Sequence, residues 1–150
     1  MDMNIRKVNL TDKSEWARMR NSLWPGSLKE HLEEIDKYFS NDEICIVEVF
    51  VLESSIGKLG GFIEVNIRNY AEGSKSTKVP YIEGWYIDKD LRGGGHGKQL
   101  IKQAEKWVID HGFHELASDC ELENANSINA HKALGFKEVE RNVCFIKKLR

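Results

Sequence analysis

The sequence predicts a mixed α/β (α+β) domain, and three observations carry that reading. Apolar residues recur at helical spacing early and late in the chain. Between them lie β-branched and aromatic runs bounded by turn residues. A glycine-rich loop joins the last of these runs to the longest helical stretch. A length of 150 residues suits one domain with its own core, and without repeats or a Pro/Gly/Ser linker the whole chain, 1–150, reads as one unit.

The elements follow in order. Asn4 to Val8 reads as a short strand. Thr11 is placed to cap a helix that carries Trp16, Met19 and Leu23 on one face and stops at Pro25-Gly26. Ser27 and Glu30 form a capping-box pair for a second helix, with Leu28, Leu32, Ile35 and Phe39 along its apolar stripe. From Ile44 to Leu52 the composition becomes strand-like, and Glu53-Ser54-Ser55 reads as a turn. A further strand runs from Leu59 to Ile67, with Gly60 and Gly61 marking a bulge. Residues 68–78 are polar and read as a loop, and Tyr81–Ile87 as the next strand. A long helix with Leu100, Ile101, Ala104, Trp107 and Val108 closes at Gly112. Phe113–Cys120 reads as a strand, Asn126–Leu134 as a helix ending at Gly135, and Val143–Lys148 as a final strand.

Composition excludes several classes. Lys+Arg 22 against Asp+Glu 24 leaves a net charge of -2, so no basic field points to nucleic acid. No apolar run approaches the roughly 18 residues of a membrane span, and the first residues lack the apolar region of a secretory signal. Cys45, Cys120 and Cys144 are far apart and in no CxxC pair, which fits a reduced, cytoplasmic chain. The histidines show no metal-ligand spacing, so no metal is expected.

The most informative segment is Arg92-Gly93-Gly94-Gly95-His96-Gly97, between a strand and the head of the long helix. Glycines let backbone N–H groups approach a ligand closely, and the unsatisfied N–H groups and positive dipole of a helix start favour an anion. Walker A fails, because Gly97-Lys98 is followed by Gln99. A Rossmann fingerprint belongs after the first strand of a βαβ unit, whereas this loop follows most of the sheet.

Arg92-x-x-Gly95-x-Gly97 resembles the Arg/Gln-x-x-Gly-x-Gly/Ala pyrophosphate loop of the GNAT acyl-CoA N-acyltransferases. The order of elements and the downstream Asn124–Phe136 segment, ending Ala133-Leu134-Gly135-Phe136, are similar to that superfamily as well. The resemblance implies a central, mostly antiparallel sheet splayed between its fourth and fifth strands, with acetyl-CoA as co-substrate. It implies that the backbone of Trp85, Tyr86 and Ile87 pairs with the pantetheine arm, with one N–H polarising the thioester carbonyl. It places the pyrophosphate on Arg92, Gly93, Gly94, Gly95, His96, Gly97 and Lys98, and the pantetheine arm on Asn124. Many members carry a tyrosine as general acid where this chain has His131, which leaves that role open between His131 and water.

Ile5-Arg6-x-Val8, Leu23-Trp24-Pro25-Gly26, Ile67-Arg68-Asn69-Tyr70, Ile82-Glu83-Gly84 and Ala117-Ser118-Asp119 together resemble the bacterial aminoglycoside 6'-N-acetyltransferases over essentially the whole chain. That likeness implies antibiotic contacts at Trp24, Tyr70, Glu83, Asp119 and Glu140. Carboxylates suit a polycationic acceptor and aromatic faces suit sugar rings. Asp119, or else Glu83, is the expected proton acceptor for the attacking amine. A homodimer is expected from the same likeness, paired through sheets or C-terminal segments. Two other readings stay open: a GNAT enzyme acting on a polyamine or a protein amine, and a catalytically silent acyl-CoA sensor.

Overall fold

The structure is a computed structural model that describes residues 2–42 and 46–150. Four strands form a sheet in the order β1-β2-β3-β4: β1 (Met3–Lys7), β2 (Glu48–Ser54), β3 (Leu59–Arg68) and β4 (Val79–Ile87). Every neighbouring pair is antiparallel. α1 (Lys13–Leu23) and α2 (Leu28–Phe39) separate β1 from β2, while α3 (His96–Asp110) and α4 (Ala125–Ala133) follow the sheet.

Side-chain alternation along the strands divides the core into two layers. On one face, Trp16, Met19 and Ile35 of the first two helices pack on Val49, Val51, Phe62 and Tyr86. On the other, Leu100, Ile101, Ala104 and Val108 of α3 pack on Phe50, Ile63, Val65 and Ile82. β3 is covered on both sides, which is why Leu59 to Val65 reads as a continuous apolar run interrupted by Glu64.

Two bulges shape the sheet. Between β2 and β3, Leu52 faces Gly61 and Glu53 faces Leu59, so Gly60 is the extra residue, as its sequence position predicts. A Cβ there would lie 2.3 Å from Leu91 Cδ1. Between β3 and β4, Glu64 faces Gly84 and Val65 faces Ile82, so Glu83 is the extra residue.

Several boundaries differ from the sequence reading. Thr11 does not cap α1. Asn9 caps a preceding 3-10 turn, Leu10–Asp12, and Asn9 Oδ1 accepts from the Thr11 N–H at 3.1 Å. An Asn-x-x-Asp capping box, closed by Asp12 Oδ2 on the Asn9 N–H at 2.8 Å, outcompetes the threonine. Ser27 caps α2, accepting from the Glu30 N–H at 3.2 Å, but the return bond from the Glu30 side chain that would complete the expected capping box is not formed. β2 begins at Glu48 rather than Ile44, and Ile44 and Cys45 lie outside the described residues. The β2 ladder runs through Ser54, so the turn begins two residues later than read.

The largest differences are at the C-terminal end. Phe113–Cys120 is not a regular strand. Among the described residues it joins the sheet only at Ala117, in a parallel bridge to Tyr81, with the Ile82 N–H on Ala117 O and the Ala117 N–H on Pro80 O, both at 2.9 Å. Val143–Lys148 forms no ladder among the described residues, and Phe145 is 92% exposed. An alternating apolar segment reads as a strand, but a strand exists only where a second backbone satisfies its N–H and C=O groups.

Candidate active site

The glycine loop lies where β4 gives way to α3. Gly93 and Gly95 have φ of +86° and +83°, and an added Cβ at either would meet no atom within 4 Å. Backbone handedness, not crowding, therefore selects glycine at these two positions. Gly95 is the cap of α3, whose first turn carries no acidic residue. The first N–H groups of that helix have no intrahelical acceptor and open outward with its positive dipole end. At Gly97 the reason is contact: a Cβ would lie 3.3 Å from the Trp85 ring, and Gly97 O accepts from Trp85 Nε1 at 3.1 Å. This seats α3 directly against β4.

The side chains of the loop are arranged more loosely. Arg92 Nε donates to Ile87 O at 2.9 Å, with its guanidinium 5.6 Å from the centre of the Tyr86 ring. His96 Nδ1 is 3.2 Å from Gln99 Oε1, and Lys98 is solvated. Main-chain donors flanked by Arg92 and Lys98 fit a diphosphate, and the small Gly94 keeps the approach low.

Beside the loop the sheet opens. β4 pairs with β3 along its whole length, yet on its other edge the contact with the 113–120 segment ends at Ile82 and Ala117. Trp85, Tyr86 and Ile87 thus have one backbone edge without a ladder partner among the described residues. The Tyr86 side chain is buried among the α1 and α2 contacts, and Trp85 and Ile87 pack toward α3. Asn124 caps α4, its Oδ1 accepting from the Ser127 N–H at 3.0 Å, which leaves its amide donors for another partner.

His131 stands across this gap. Its Nδ1 is 2.7 Å from Ser127 O, an acceptor only, so in the neutral ring Nδ1 carries the proton. Nε2 then accepts from Ser118 Oγ at 2.8 Å. The ring also meets Trp85 edge-on at 5.3 Å.

The carboxylates gather on the α1/α2 side of β4. Glu83 shares the face of Tyr81, two residues before it, and reaches Asn66 and Arg68 of β3, while the bulge brings Gly84 to that same face. Asn66 Nδ2 and Arg68 Nε each lie 2.8 Å from Glu83 Oε2, and Arg68 Nη2 lies 2.6 Å from Oε1. The Arg68 guanidinium also covers the Tyr81 ring at 3.5 Å. Hydrogen bonding to Glu83 is the main reason its proton is held even more tightly than usual. The Tyr81 hydroxyl donates to Asp119 Oδ2 at 2.9 Å, and burial first, then this bond, pushes the phenol well above its ordinary value. Asp119 and Glu83 are therefore joined through Tyr81 and Arg68.

Trp24 caps α1 and leans on the same wall. A Cβ at Gly84 would lie 2.7 Å from Trp24 Cη2, so the bare backbone of β4 forms the indole's seat. His31 Nε2 is 3.0 Å from Trp24 O, and Arg20 lies 5.2 Å from the Trp24 ring centre. Beneath it, Glu64 is 1% exposed, accepts from Trp16 Nε1 at 2.9 Å and faces Arg20 Nη1 at 3.5 Å. Burial pushes the Glu64 carboxyl up to about 7, against the opposing pull of Arg20 and Trp16.

Of the residues expected to bind the acceptor, Trp24, Glu83 and Asp119 thus share one side of β4. Tyr70 is 63% exposed on the loop after β3. Glu140 is exposed on the C-terminal segment, with no hydrogen bond or ion pair among the described residues. Asn66, Arg68 and Tyr81 were not singled out by side-chain chemistry in the sequence. The available signal was their spacing: Glu64, Asn66 and Arg68 are polar at every second position of an otherwise apolar strand.

The model of the acetyltransferase (GNAT) family matches residues 14–136. An aminoglycoside N(6')-acetyltransferase type 1 of Klebsiella aerogenes is 40% identical over 146 residues, which is 97% of this chain and 96% of the relative. The structure of AAC(6')-Iy in complex with the bisubstrate analogue CoA-S-monomethyl-acetylneamine is similar with a TM-score of 0.88 at 33% identity, covering 99% of each chain. The aminoglycoside antibiotic 6'-N-acetyltransferase AAC(6')-Ih from Acinetobacter baumannii matches with a TM-score of 0.88 at 29% identity, over 99% of this chain and 100% of that one.

Proposed function

The chain belongs to the GNAT acetyltransferase family, among the aminoglycoside N(6')-acetyltransferases, and we propose that it transfers the acetyl group of acetyl-CoA to the 6'-amino group of aminoglycoside antibiotics, inactivating them. The observation that carries this reading is the pairing of two opposite binding surfaces at one opening in the sheet. The helix-terminal glycine loop suits the polyanionic co-substrate. The Glu83–Asp119 side, walled by Trp24, suits a polycationic sugar.

Acetyl-CoA supplies the activated acyl group, and the chain's own residues do the rest. Main-chain donors from Gly93 to Lys98, with Arg92, hold the diphosphate. The free edge of β4 at Trp85, Tyr86 and Ile87 and the Asn124 amide align the pantetheine arm. An N–H of that edge stabilises the charge that develops on the thioester oxygen. Trp24, Tyr70, Glu83 and Glu140 orient the sugar, and Asp119, held by Tyr81, takes the proton that the ammonium must lose before attack; as the C–N bond forms the C–S bond breaks, and the thiolate leaves as CoA with a proton from His131 or water. Holding the amine and the thioester together supplies much of the rate.

We read the chain, 1–150, as one such domain acting in the cytoplasm, where acetyl-CoA is available. Among the described residues, no helix is long and apolar enough to cross a membrane, and no cluster of His, Cys, Asp and Glu could hold a metal. The working unit is a homodimer. Val143, Phe145, Ile146 and Leu149 stand 70–92% exposed on an extended segment that a second copy would cover.

An acceptor panel tests the function. Free CoA should be released from acetyl-CoA on adding kanamycin or tobramycin, and far more slowly with spermidine or peptide amines. Faster release with those amines would favour a different acceptor, and none with any amine would favour an acyl-CoA sensor.

A further inference from the structure

One of the two carboxylates proposed to meet the acceptor's ammonium groups is already occupied. Glu83 has about four lone-pair sites on its two oxygens, and Asn66 and the two-point Arg68 fork take three of them. The guanidinium of Arg68 lies flat over Tyr81, whose hydroxyl holds Asp119, so a positive charge already sits between the two acidic groups of the site. The side chain is not locked in: it is 37% exposed and belongs to the last residue of β3, beside the loop that leads to β4.

We propose that Arg68 is a specificity residue that occupies the ammonium seat on Glu83 in the free enzyme and is displaced from it when a polycationic acceptor binds. The exchange replaces one cation by another, so Glu83 stays paired in both states and never faces a partly buried site uncompensated. It also sets a threshold. A ligand with one amine competes with a tethered guanidinium for a single carboxylate. A ligand with several ammonium groups engages Asp119 as well, and the sum of those contacts outweighs the lost fork. Arg68 thereby selects for several well-spaced positive charges.

This inference rests on the aminoglycoside reading, and calorimetric titration of the full chain with kanamycin, in the presence of CoA, separates the two. The variants are Arg68→Met, Glu83→Gln and the double variant, with CoA affinity reporting an intact fold. Arg68→Met should bind kanamycin roughly five- to tenfold more tightly than wild type, because one charge-assisted pair no longer has to be broken. Glu83→Gln should weaken binding less than about threefold in wild type and more than about tenfold in the Arg68→Met background. Equal or weaker binding by Arg68→Met, or the same Glu83→Gln effect in both backgrounds, would overturn the displacement. If Arg68→Met does not fold, Arg68→Lys carries the test: it keeps the charge without the fork and should tighten binding by a smaller factor, with unchanged or weaker binding overturning the proposal. Absence of kanamycin binding to wild type would instead refute the acceptor assignment.

Discussion

The Tyr81 hydroxyl donates a 2.9 Å hydrogen bond to Asp119 Oδ2, linking β4 to the segment that leaves the sheet after Ala117. It is the last polar tie between the two before they part, and it fixes the carboxylate at the opening. Asp119→Asn keeps the shape and removes the proposed base, so kcat should fall about 100-fold or more, with acetyl-CoA KM little changed. Tyr81→Phe frees the carboxylate without neutralising it and should lower kcat by a smaller factor, roughly tenfold. Steady-state CoA release measures both, and unchanged turnover in Asp119→Asn would remove Asp119 from the mechanism.

Gly84 and Trp24 make a second pair. The Cβ of Gly84→Ala would stand 2.7 Å from Trp24 Cη2 and 3.1 Å from Phe62 Cε2, so the indole must shift. Overpacking of this kind costs about 1–3 kcal/mol. Aminoglycoside KM should rise while CoA affinity holds, which kinetics and calorimetry resolve independently.

At the cap of α3, Gly95→Ala has space for its methyl but not the backbone freedom for φ of +83°. A left-handed alanine costs roughly 1–2 kcal/mol, and relaxation of that strain turns loop N–H groups away from the diphosphate. Acetyl-CoA affinity should drop by about tenfold with acceptor binding retained, as read by titration calorimetry.

Glu64 carries a pH signature. Its carboxyl titrates at an ordinary 4.5 when unfolded and at about 7 in the core. Between those values the unfolded chain has released a proton that the folded chain keeps, so stability should fall as pH rises from about 4.5 to about 7 and then level off. Asp12 and Asp88 act oppositely at lower pH. Burial alone would raise them, but their arginine partners, Arg6 and Arg18, hold both below the ordinary carboxylate range. Stability should therefore also fall on acidification below about 4. Thermal unfolding of Glu64→Gln should lose the descent between pH 5 and 7, and persistence of the descent would assign it to another group.

The C-terminal segment predicts assembly. Phe145 and Ile146 are 92% and 89% exposed, and a charge at either, as in Phe145→Asp, should convert the proposed dimer to monomer in sedimentation velocity. A wild-type monomer would show that the segment has another use.

The helical faces were legible because helix periodicity is a local property. Trp16 and Met19, or Leu100, Ile101 and Ala104, declare their buried side by spacing alone. The glycine loop was legible for a similar reason, since left-handed residues before a helix leave few alternatives to glycine. The strands after α3 were not. Phe113–Cys120 and Val143–Lys148 carry strand composition, but pairing depends on a neighbouring backbone that local composition does not specify. The Asn9 cap was overlooked because Thr11 stands closer to the apolar stripe.

The candidate site divides along the same line. Residue order alone determined that a glycine-lined helix start follows a strand, that Trp24, Glu83 and Asp119 are available, and which family the chain resembles. Tertiary structure decided that a bulge sets Glu83 and Gly84 on one face, that Arg68 already occupies Glu83, and that Tyr81 holds Asp119 at the mouth of the opening. A one-residue slip in a β ladder inverts the faces of a strand, and such a slip is settled by the packing of both neighbours together, which no single segment encodes.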